Sequence, residues 1–400
     1  MSVYPTGVDT FTPVVSGVSE IRAADINDLQ SAITATQNAI GTTGNYSFTS
    51  IIPSPTITSS IVNSISENTI IYAVVVNSGI AYVGGNFTSI NGVAVTGLAA
   101  IDLSDNSVVG TFDAELLPIQ SNTYVESIAI QDSNNILVGG AFIVSGSTIS
   151  VTGLASIDLT TGALNESFDA QISEGTFSVS VSRLVIDDSS VFAYGNYNAQ
   201  NPTISKFDLS SGAADGSFSP QNLHLDSRAV GDGKLLVKTG GFSPESKFIS
   251  STDASVLTTF TGVTVGVYSP QSTEAFFVGS SINFPDKPAR YGIAKMSDKT
   301  NIPGSFDNSF YVKAPSNVNF LSFATYSNYI IHEDANNNVL NFRHKDTGEI
   351  VSQIYFPGYI SLIYNSLYID GTTLYIGGAF TQADSVVTRG AISVDLTTLP

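Results

Sequence analysis

The sequence predicts an all-β fold built from one repeated unit, and three observations carry that prediction. A strand ending in two glycines and an aromatic residue recurs, as YVGGNF at 82–87, LVGGAF at 137–142 and YIGGAF at 375–380. The composition suits strands joined by tight turns, because Ser, Asn and Gly supply turn geometry while Val, Ile, Tyr and Phe favour pleated surfaces. Charged residues are 12% of the chain against 42% hydrophobic, so the chain folds around a core and covers its surface largely with Ser, Thr, Asn and Gly.

The repeat keeps its register along the chain. Its aromatic sits at Phe87, at Phe142 and, in the weakened copy AYGNY, at Tyr197, two intervals of 55 residues. Further copies end at Phe242 (KTGGF) and, degenerate, at Ile282 (FVGSSI). The 293 residues from Phe87 to Phe380 divide into six steps of about 49, close to the length of a propeller blade.

Each unit reads as four strands in a fixed order. An apolar run comes first: IIYAVVV (70–76), YVESIAI (124–130) and YISLIYN (359–365). The glycine strand follows, and then a third run: GLAAIDL (97–103), GLASIDL (153–159), TISKFDL (203–209), YGIAKMS (291–297) and GAISVDL (390–396). The fourth is GTFDAE (110–115), ESFDAQ (166–171), GSFSPQ (216–221) and GSFDNS (304–309). Four short antiparallel strands are one blade of a β-propeller. A blade buries both faces only by stacking on its neighbours, so its middle strands read as continuous apolar runs rather than alternating ones.

Glycine weakens a strand unless a bend or a close backbone approach needs it. The pairs Gly84–Gly85, Gly139–Gly140 and Gly377–Gly378 therefore read as such a bend, with Phe87, Phe142 and Phe380 packed between blades. A phosphate-binding loop is the competing reading, and it fails because no helix follows to hold the anion. The turns DLTTG (158–162) and DLSSG (208–212) join third to fourth strands. Asp102, Asp158, Asp208 and Asp395 stand at these junctions, where a carboxylate caps the turn.

First strands beginning near residues 70, 124, 178, 225, 263, 317 and 357 count seven blades, with six and eight the neighbouring counts. The last unit stops at SVDLTTLP, before its fourth strand, and would leave an open edge. The segment NYSFTSII (45–52) resembles NESFDAQI (165–172) and is expected to pair with 390–396 and close the ring; the bland alternative makes 45–69 a linker. The chain thus divides into an N-terminal arm and helix, 1–44, and a propeller, 45–400.

Residues 1–18 form an extended arm containing Pro and Thr, and SEIRAADINDLQSAITATQNAIG (19–41) reads as a helix. Asp25 caps it with Asp28 three residues on, and Gly41 terminates it. Ile26, Leu29, Ile33 and Ile40 make a thin apolar seam on an otherwise polar helix. A seam so narrow suits a coiled coil or docking onto a partner; the alternative lays it on the chain's own propeller.

YPTGVDTF (4–11), a spacer and AADINDLQSAITATQNAIG (23–41) resemble an N-terminal segment common in structural proteins of tailed bacteriophages, where it precedes tail, fibre or other appendage domains. The propeller repeats likewise resemble VGGxFT-type repeats of phage and bacterial surface proteins. The resemblance covers about a tenth of the chain. It implies a virion structural protein that meets other virion proteins through its arm and helix. A homo-oligomer such as a trimer, and a host-surface glycan or receptor, are the further partners it leaves open. The absence of a signal peptide is expected of a protein assembled in the host cytoplasm.

Other chemistry finds little support. The 15 basic and 34 acidic residues give a formal charge of −19 with no basic stripe, which argues against nucleic acid. No stretch is long and apolar enough for a membrane span, and with no cysteine there is neither disulfide nor thiolate chemistry. His224, His332 and His344 fall in different or poorly defined loops and read as surface residues, without the spacing of a metal site. QDSNN (131–135) and EDANNN (333–338) are hairpin turns rather than calcium loops. Sialidase-like propellers carry Trp-containing turns, and this chain has no Trp. We therefore expect no enzyme and no cofactor. The competing readings are a glycan-binding adhesin of a bacterial surface and a propeller glycoside hydrolase or lyase, whose paired carboxylates would have to converge in space.

Overall fold

The computed structural model describes residues 52–400, apart from 67–68, 120–122, 173–178, 197–202, 219–222, 232, 240–244, 262–264, 269–274, 283–289, 297–305, 314–321, 335–337 and 358–365. The chain divides into two compact units between Ile52 and Pro53. The extended arm, the helix over 19–41 and its seam of Ile26, Leu29, Ile33 and Ile40 belong to the first unit and lie outside the described residues.

The second unit is nearly all β, with one short 3-10 turn at Leu396–Thr398 among its described residues. Its larger sheets follow one another along the chain and are antiparallel throughout. The first joins Ile71–Asn77, Ile80–Gly85, Leu98–Asp102 and Ser107–Val108. The second joins Tyr124–Ile130, Asn135–Ser145 and Ser150–Asp158, and the third Ser180–Asp187, Ser190–Asn196 and Thr203–Asp208. The fourth runs from Leu223 to Thr261, the fifth from Val265 to Lys313 and the sixth from Phe323 to Tyr355, each with four strands. The seventh joins Leu367–Asp370, Thr373–Gly377, Ala391–Asp395 and, from the start of the unit, Thr56–Ser60.

The closing strand expected at 45–52 lies outside the described residues but for Ile52. The edge it was to take is held by Thr56–Ser60, whose Thr56 pairs with Asp395 and Ser60 with Ile392. Thr-Ile-Thr-Ser-Ser is β-branched and small, and Ile57 packs onto the apolar cluster of the sixth and seventh sheets, so this stretch supplies both pairing and burial.

Two further expectations change. The run 359–365, read as the first strand of the last unit, lies outside the described residues; the strand pairing with Thr373–Gly377 is Leu367–Asp370. The described residues of the SFD-type segments of the first three sheets are not strands either. Ser107–Val108 is the fourth strand of the first sheet, and Phe112, Phe168 and Phe218 follow tight turns in which each backbone N–H donates to the residue three back. Glu115 and Gln171 adopt φ of 45° and 49°, a left-handed conformation that cannot continue a strand.

The first two of these segments reach the next sheet instead. The Asp113 N–H donates to the Thr161 carbonyl at 3.0 Å, and the Asp169 N–H to the Ser211 carbonyl at 2.9 Å. Gly162, at φ +79°, sits so close beneath that a Cβ there would lie 2.5 Å from the Asp113 carbonyl carbon. Glycine is thus required at the turn both for its φ and for the neighbour it admits.

The core is a series of apolar layers, each between two sheets. One layer joins Ala73, Tyr82 and Leu98 of the first sheet to Val125, Ile136 and Ala155 of the second. Another joins Leu137 and Leu154 to Val181 and Val191 of the third, and a third joins Phe192 and Ile204 to Leu235 and Ile249 of the fourth. Alternate residues of a strand enter opposite layers. Tyr82 faces the second sheet, while Ala81 and Val83 enter the layer holding Tyr375 and Ala391 of the seventh. Burial on both faces explains why these strands lack a polar side. The seventh sheet also bonds directly to the first, since the Ile71 N–H donates to the Gly378 carbonyl at 3.3 Å and the Tyr368 hydroxyl to the Val76 carbonyl at 3.2 Å. Among the described residues, no helix is long and apolar enough to cross a membrane.

Candidate functional site

The glycine pairs act through the strand opposite them. Ile71 pairs with Gly85 and Ala73 with Gly84, so Tyr72 is an extra residue in the first strand. Val125 pairs with Gly140 and Ser127 with Gly139, which leaves Glu126 extra; Val181 pairs with Gly195 and Arg183 with Tyr194, which leaves Ser182 extra. A bulge thus recurs at one place in three successive sheets. It presses the first strand onto its partner: a Cβ on Gly85 would lie 2.5 Å from the Ile70 carbonyl oxygen, and one on Gly140 or Gly195 would overlap the carbonyl oxygen of Tyr124 or Ser180. The other glycine of each pair faces the next sheet, with Val125 over Gly84, Val181 over Gly139 and Ile71 over Gly377. Gly378 accepts from Ile71 and donates to the Gly390 carbonyl. Phe87, Phe142 and Phe380 are buried beside these turns, Phe380 edge-on to Phe356 of the sixth sheet at 4.9 Å.

Bulges re-aim side chains, and here they gather a polar patch. Ile71, Val125 and Val181 are fully buried, while the bulged residues Tyr72, Glu126 and Ser182 stay partly exposed. The Tyr72 and Tyr124 rings lie 6.4 Å apart, tilted by 60°. The Ser180 hydroxyl donates to the Glu126 carboxylate at 3.1 Å. Burial raises the Glu126 carboxyl above its ordinary range, against the lowering pull of Ser180 and the Arg183 guanidinium. Burial also raises the Tyr72 phenol, helped by the charge of Glu126. The patch therefore joins two tilted aromatic faces, a desolvated carboxyl, hydroxyls and a nearby cation across three first strands. Such a surface can stack on a ligand and bond its polar edge.

The sequence did mark this place, though not as a site: Glu126 interrupts the apolar run YVESIAI at the position where the first sheet has Tyr72. Without the bulge, an alternating reading assigns Glu126 to the wrong face.

His332 is the other buried polar centre, and it is not a surface residue. It lies in Tyr329–Asp334 and is 2% exposed, paired with Asn341 across the sheet. Its Nε2 accepts from the Arg343 Nε–H at 2.8 Å, because a guanidinium can only donate, so Nδ1 carries the proton and donates to the Glu333 carbonyl at 3.0 Å. Burial lowers its pKa to about 3, with the Arg343 charge adding to the effect. The imidazole is therefore neutral with both nitrogens engaged, which suits a strut and not a general base. His344 pairs with Tyr329 and does not approach His332; the His224 side chain lies outside the described residues. The Lys295 ammonium of the fifth sheet meets the Asp346 carboxylate of the sixth at 2.9 Å.

The repeated aspartates cap turns. Asp158 Oδ1 accepts from the Thr160 and Thr161 N–H groups at 3.0 and 2.8 Å, and Asp208 Oδ1 does the same for Ser210 and Ser211 at 3.1 and 2.8 Å. Hydroxyl bonds from Ser210 and Ser211 hold the Asp208 carboxyl down to about 2. Asp102 and Asp395 take the N–H groups of Ser104 and Thr397, each at 2.8 Å. In QDSNN, Asp132 caps the hairpin through the Asn134 and Asn135 N–H groups. Among the described residues, no group of three or more His, Cys, Asp or Glu could hold a metal ion.

No family model matches this chain, and no curated protein matches it. Among solved structures it is similar to the β-propeller domain of Myceliophteria thermophila Cps50 (Swd1), with a TM-score of 0.53 and 12% identity over 85% of this chain and 99% of that one. It is also similar to the computationally designed Ika8 protein, with a TM-score of 0.50 and 11% identity over 84% of this chain and 100% of that one. At such identities the likeness is one of fold alone, and the fold is that of a β-propeller.

Proposed function

We propose that the protein is a structural component of a bacteriophage virion: a seven-bladed propeller displayed on a tail, fibre or head appendage and anchored by its N-terminus. The observation that carries this reading is YPTGVDTF followed by AADINDLQSAITATQNAIG, a phage-type segment placed ahead of a propeller whose edge strand comes from Thr56–Ser60. In this reading the helix seam of Ile26, Leu29, Ile33 and Ile40 serves other virion proteins or copies of itself, a trimer among them. Seven blades is the count this reading takes, supported by seven larger antiparallel sheets along the chain and by the hydrogen bond from the first to the seventh. Host contact through a surface glycan or receptor is part of the same reading. Enzymatic activity is not part of this reading; the repeated carboxylates Asp158 and Asp208 are engaged in turns and His332 is neutral and enclosed.

The aromatic and carboxyl patch at Tyr72, Tyr124 and Glu126 favours one second reading, a glycan-binding adhesin of a bacterial surface. Immunogold electron microscopy with an antibody to residues 45–400 separates the two. Label at a fixed place on phage particles from the source culture is the expected result. Bare particles with label on bacterial cells would sink the virion reading and promote the adhesin.

A further inference from the structure

We propose that the bulged patch on the first three sheets binds a neutral sugar ring of a surface polysaccharide. Its contacts are the ring faces of Tyr72 and Tyr124, the carboxylate of Glu126 and the hydroxyl of Ser180. The assignment deepens the host-contact part of the function proposed above and rests on it for the source of the sugar.

Four observations lead to this ligand class. The patch is built and not incidental: the same bulge recurs opposite a glycine in three sheets, and in each it turns one extra residue away from the buried layer. Its two tyrosine rings are tilted by 60° at 6.4 Å, so they form an angled wall and not a parallel slot. A flat base or guanidinium needs a slot, whereas a puckered sugar ring offers C–H faces to rings set at an angle. Beside the wall, Glu126 already accepts a hydroxyl donor, Ser180, at 3.1 Å. Sugar hydroxyls are donors of the same kind, and a carboxylate holds them through charge-assisted bonds. Burial, which raises the Glu126 pKa, marks a carboxyl withdrawn from water, where such bonds are worth most.

Charge selects the neutral member of the class. A formal −19 on the chain and a carboxyl at the centre of the patch disfavour anionic sugars. Arg183, 9% exposed, is close enough to lower the Glu126 pKa and so already offsets part of the carboxylate's charge.

The test uses the purified full-length chain on an array of gluco-, galacto- and manno-oligosaccharides of about two to six units, with sialylated oligosaccharides as the anionic arm. The expected result is retention on at least one neutral series. Retention should weaken about tenfold in Tyr124→Ala and in Glu126→Gln, the loss of one stacking face or one charged acceptor. Tyr124→Phe keeps the ring and should bind within about twofold, and Glu349→Gln, an exposed carboxylate in the sixth sheet, should bind as the parent does. Circular dichroism of each variant guards against loss of fold, and the isosteric Glu126→Gln keeps the test decisive if Tyr124→Ala unfolds. No retention on any neutral series, retention on the sialylated arm alone, or neutral binding indifferent to Glu126→Gln would each overturn the proposal. None of these bears on particle labelling, so a failed site and a failed virion reading remain distinguishable.

Discussion

At the scale of single residues, two positions show how context sets a side chain's role. Gly140 faces the Tyr124 carbonyl so closely that a methyl group would collide with backbone that cannot move without undoing the bulge. Gly140→Ala should therefore cost about 2–3 kcal/mol, measured as a lower urea midpoint at unchanged slope. His332 is held neutral by burial, with a folded pKa near 3 against an unfolded value near 6.5. Below pH 6.5 the unfolded chain takes up a proton that the folded chain refuses, so stability is intact above that pH and falls progressively towards pH 3. Between pH 7 and pH 5 this one group should remove about 2 kcal/mol. Urea melts of the parent and of His332→Gln at both pH values check it: the variant should be weaker at pH 7 but lose less between the two. Glu126 acts in the opposite sense. Its raised carboxyl favours the folded state while protonated, and that contribution is lost as pH rises through its folded value.

At the scale of strands and sheets, the decisive element is the edge at Ala391–Asp395. It is covered by Thr56–Ser60, and Pro53 just upstream accepts from the Gln353 N–H at 3.0 Å and the Ser352 hydroxyl at 2.5 Å in the sixth sheet. A chain beginning at Pro53 keeps all of this and should hold the parent's Tm to within about 2 °C, less than about 1 kcal/mol. A chain beginning at Ile61 exposes the edge, and a bare antiparallel edge recruits another. It should melt well below the parent and self-associate on size-exclusion chromatography, while added peptide spanning 53–60 should restore the monomer. Equal melting of the two truncations would show that the strand contributes no closure. This element also marks a limit of reading by likeness. NYSFTSII was likened to an SFD segment expected to be a strand, but in the first two sheets those segments are turns that dock on the next sheet, and the edge at Ala391–Asp395 is paired by Thr56–Ser60.

At the scale of the whole molecule, the layers between sheets carry most of the cohesion, and among the described residues the sixth sheet departs from the first three. The face of the sixth sheet that carries His332, Asn341, Arg343 and Gln353 is polar, where the corresponding faces of the first three sheets are apolar. The Gln353 amide donates to Asn341 at 2.6 Å, while its buried carbonyl oxygen has no hydrogen-bond partner. A buried acceptor left so costs about 1–3 kcal/mol. The sixth sheet's stretch NYIIHEDANNNVLNFRHKDTG (328–348) also lacks the glycine pair of the repeat. Its fixed donors and acceptors hold one register where the glycine bend is missing, as polar cores do at a cost in stability. Removing them should loosen this part of the ring first: in hydrogen exchange, Arg343→Met should deprotect the amides of 339–355 before those of 71–102.

What the sequence by itself determined was the repeat, the order of the first three strands in the first three units, the buried aromatics at Phe87, Phe142 and Phe380, and the capping aspartates. These follow from local chemistry: strand-forming side chains, a carboxylate two or three residues before the N–H it accepts, and glycine where backbone must approach backbone. Tertiary structure alone decided three other things. Which strand closes the edge depends on a partner more than three hundred residues away in sequence, where Thr56 meets Asp395. Which face Glu126 occupies depends on a bulge that shifts alternation by one residue, a change invisible to periodicity. Whether His332 is a surface group or a neutral strut depends on the sheet packed over it, since burial and a fixed donor, not residue type, set its proton affinity.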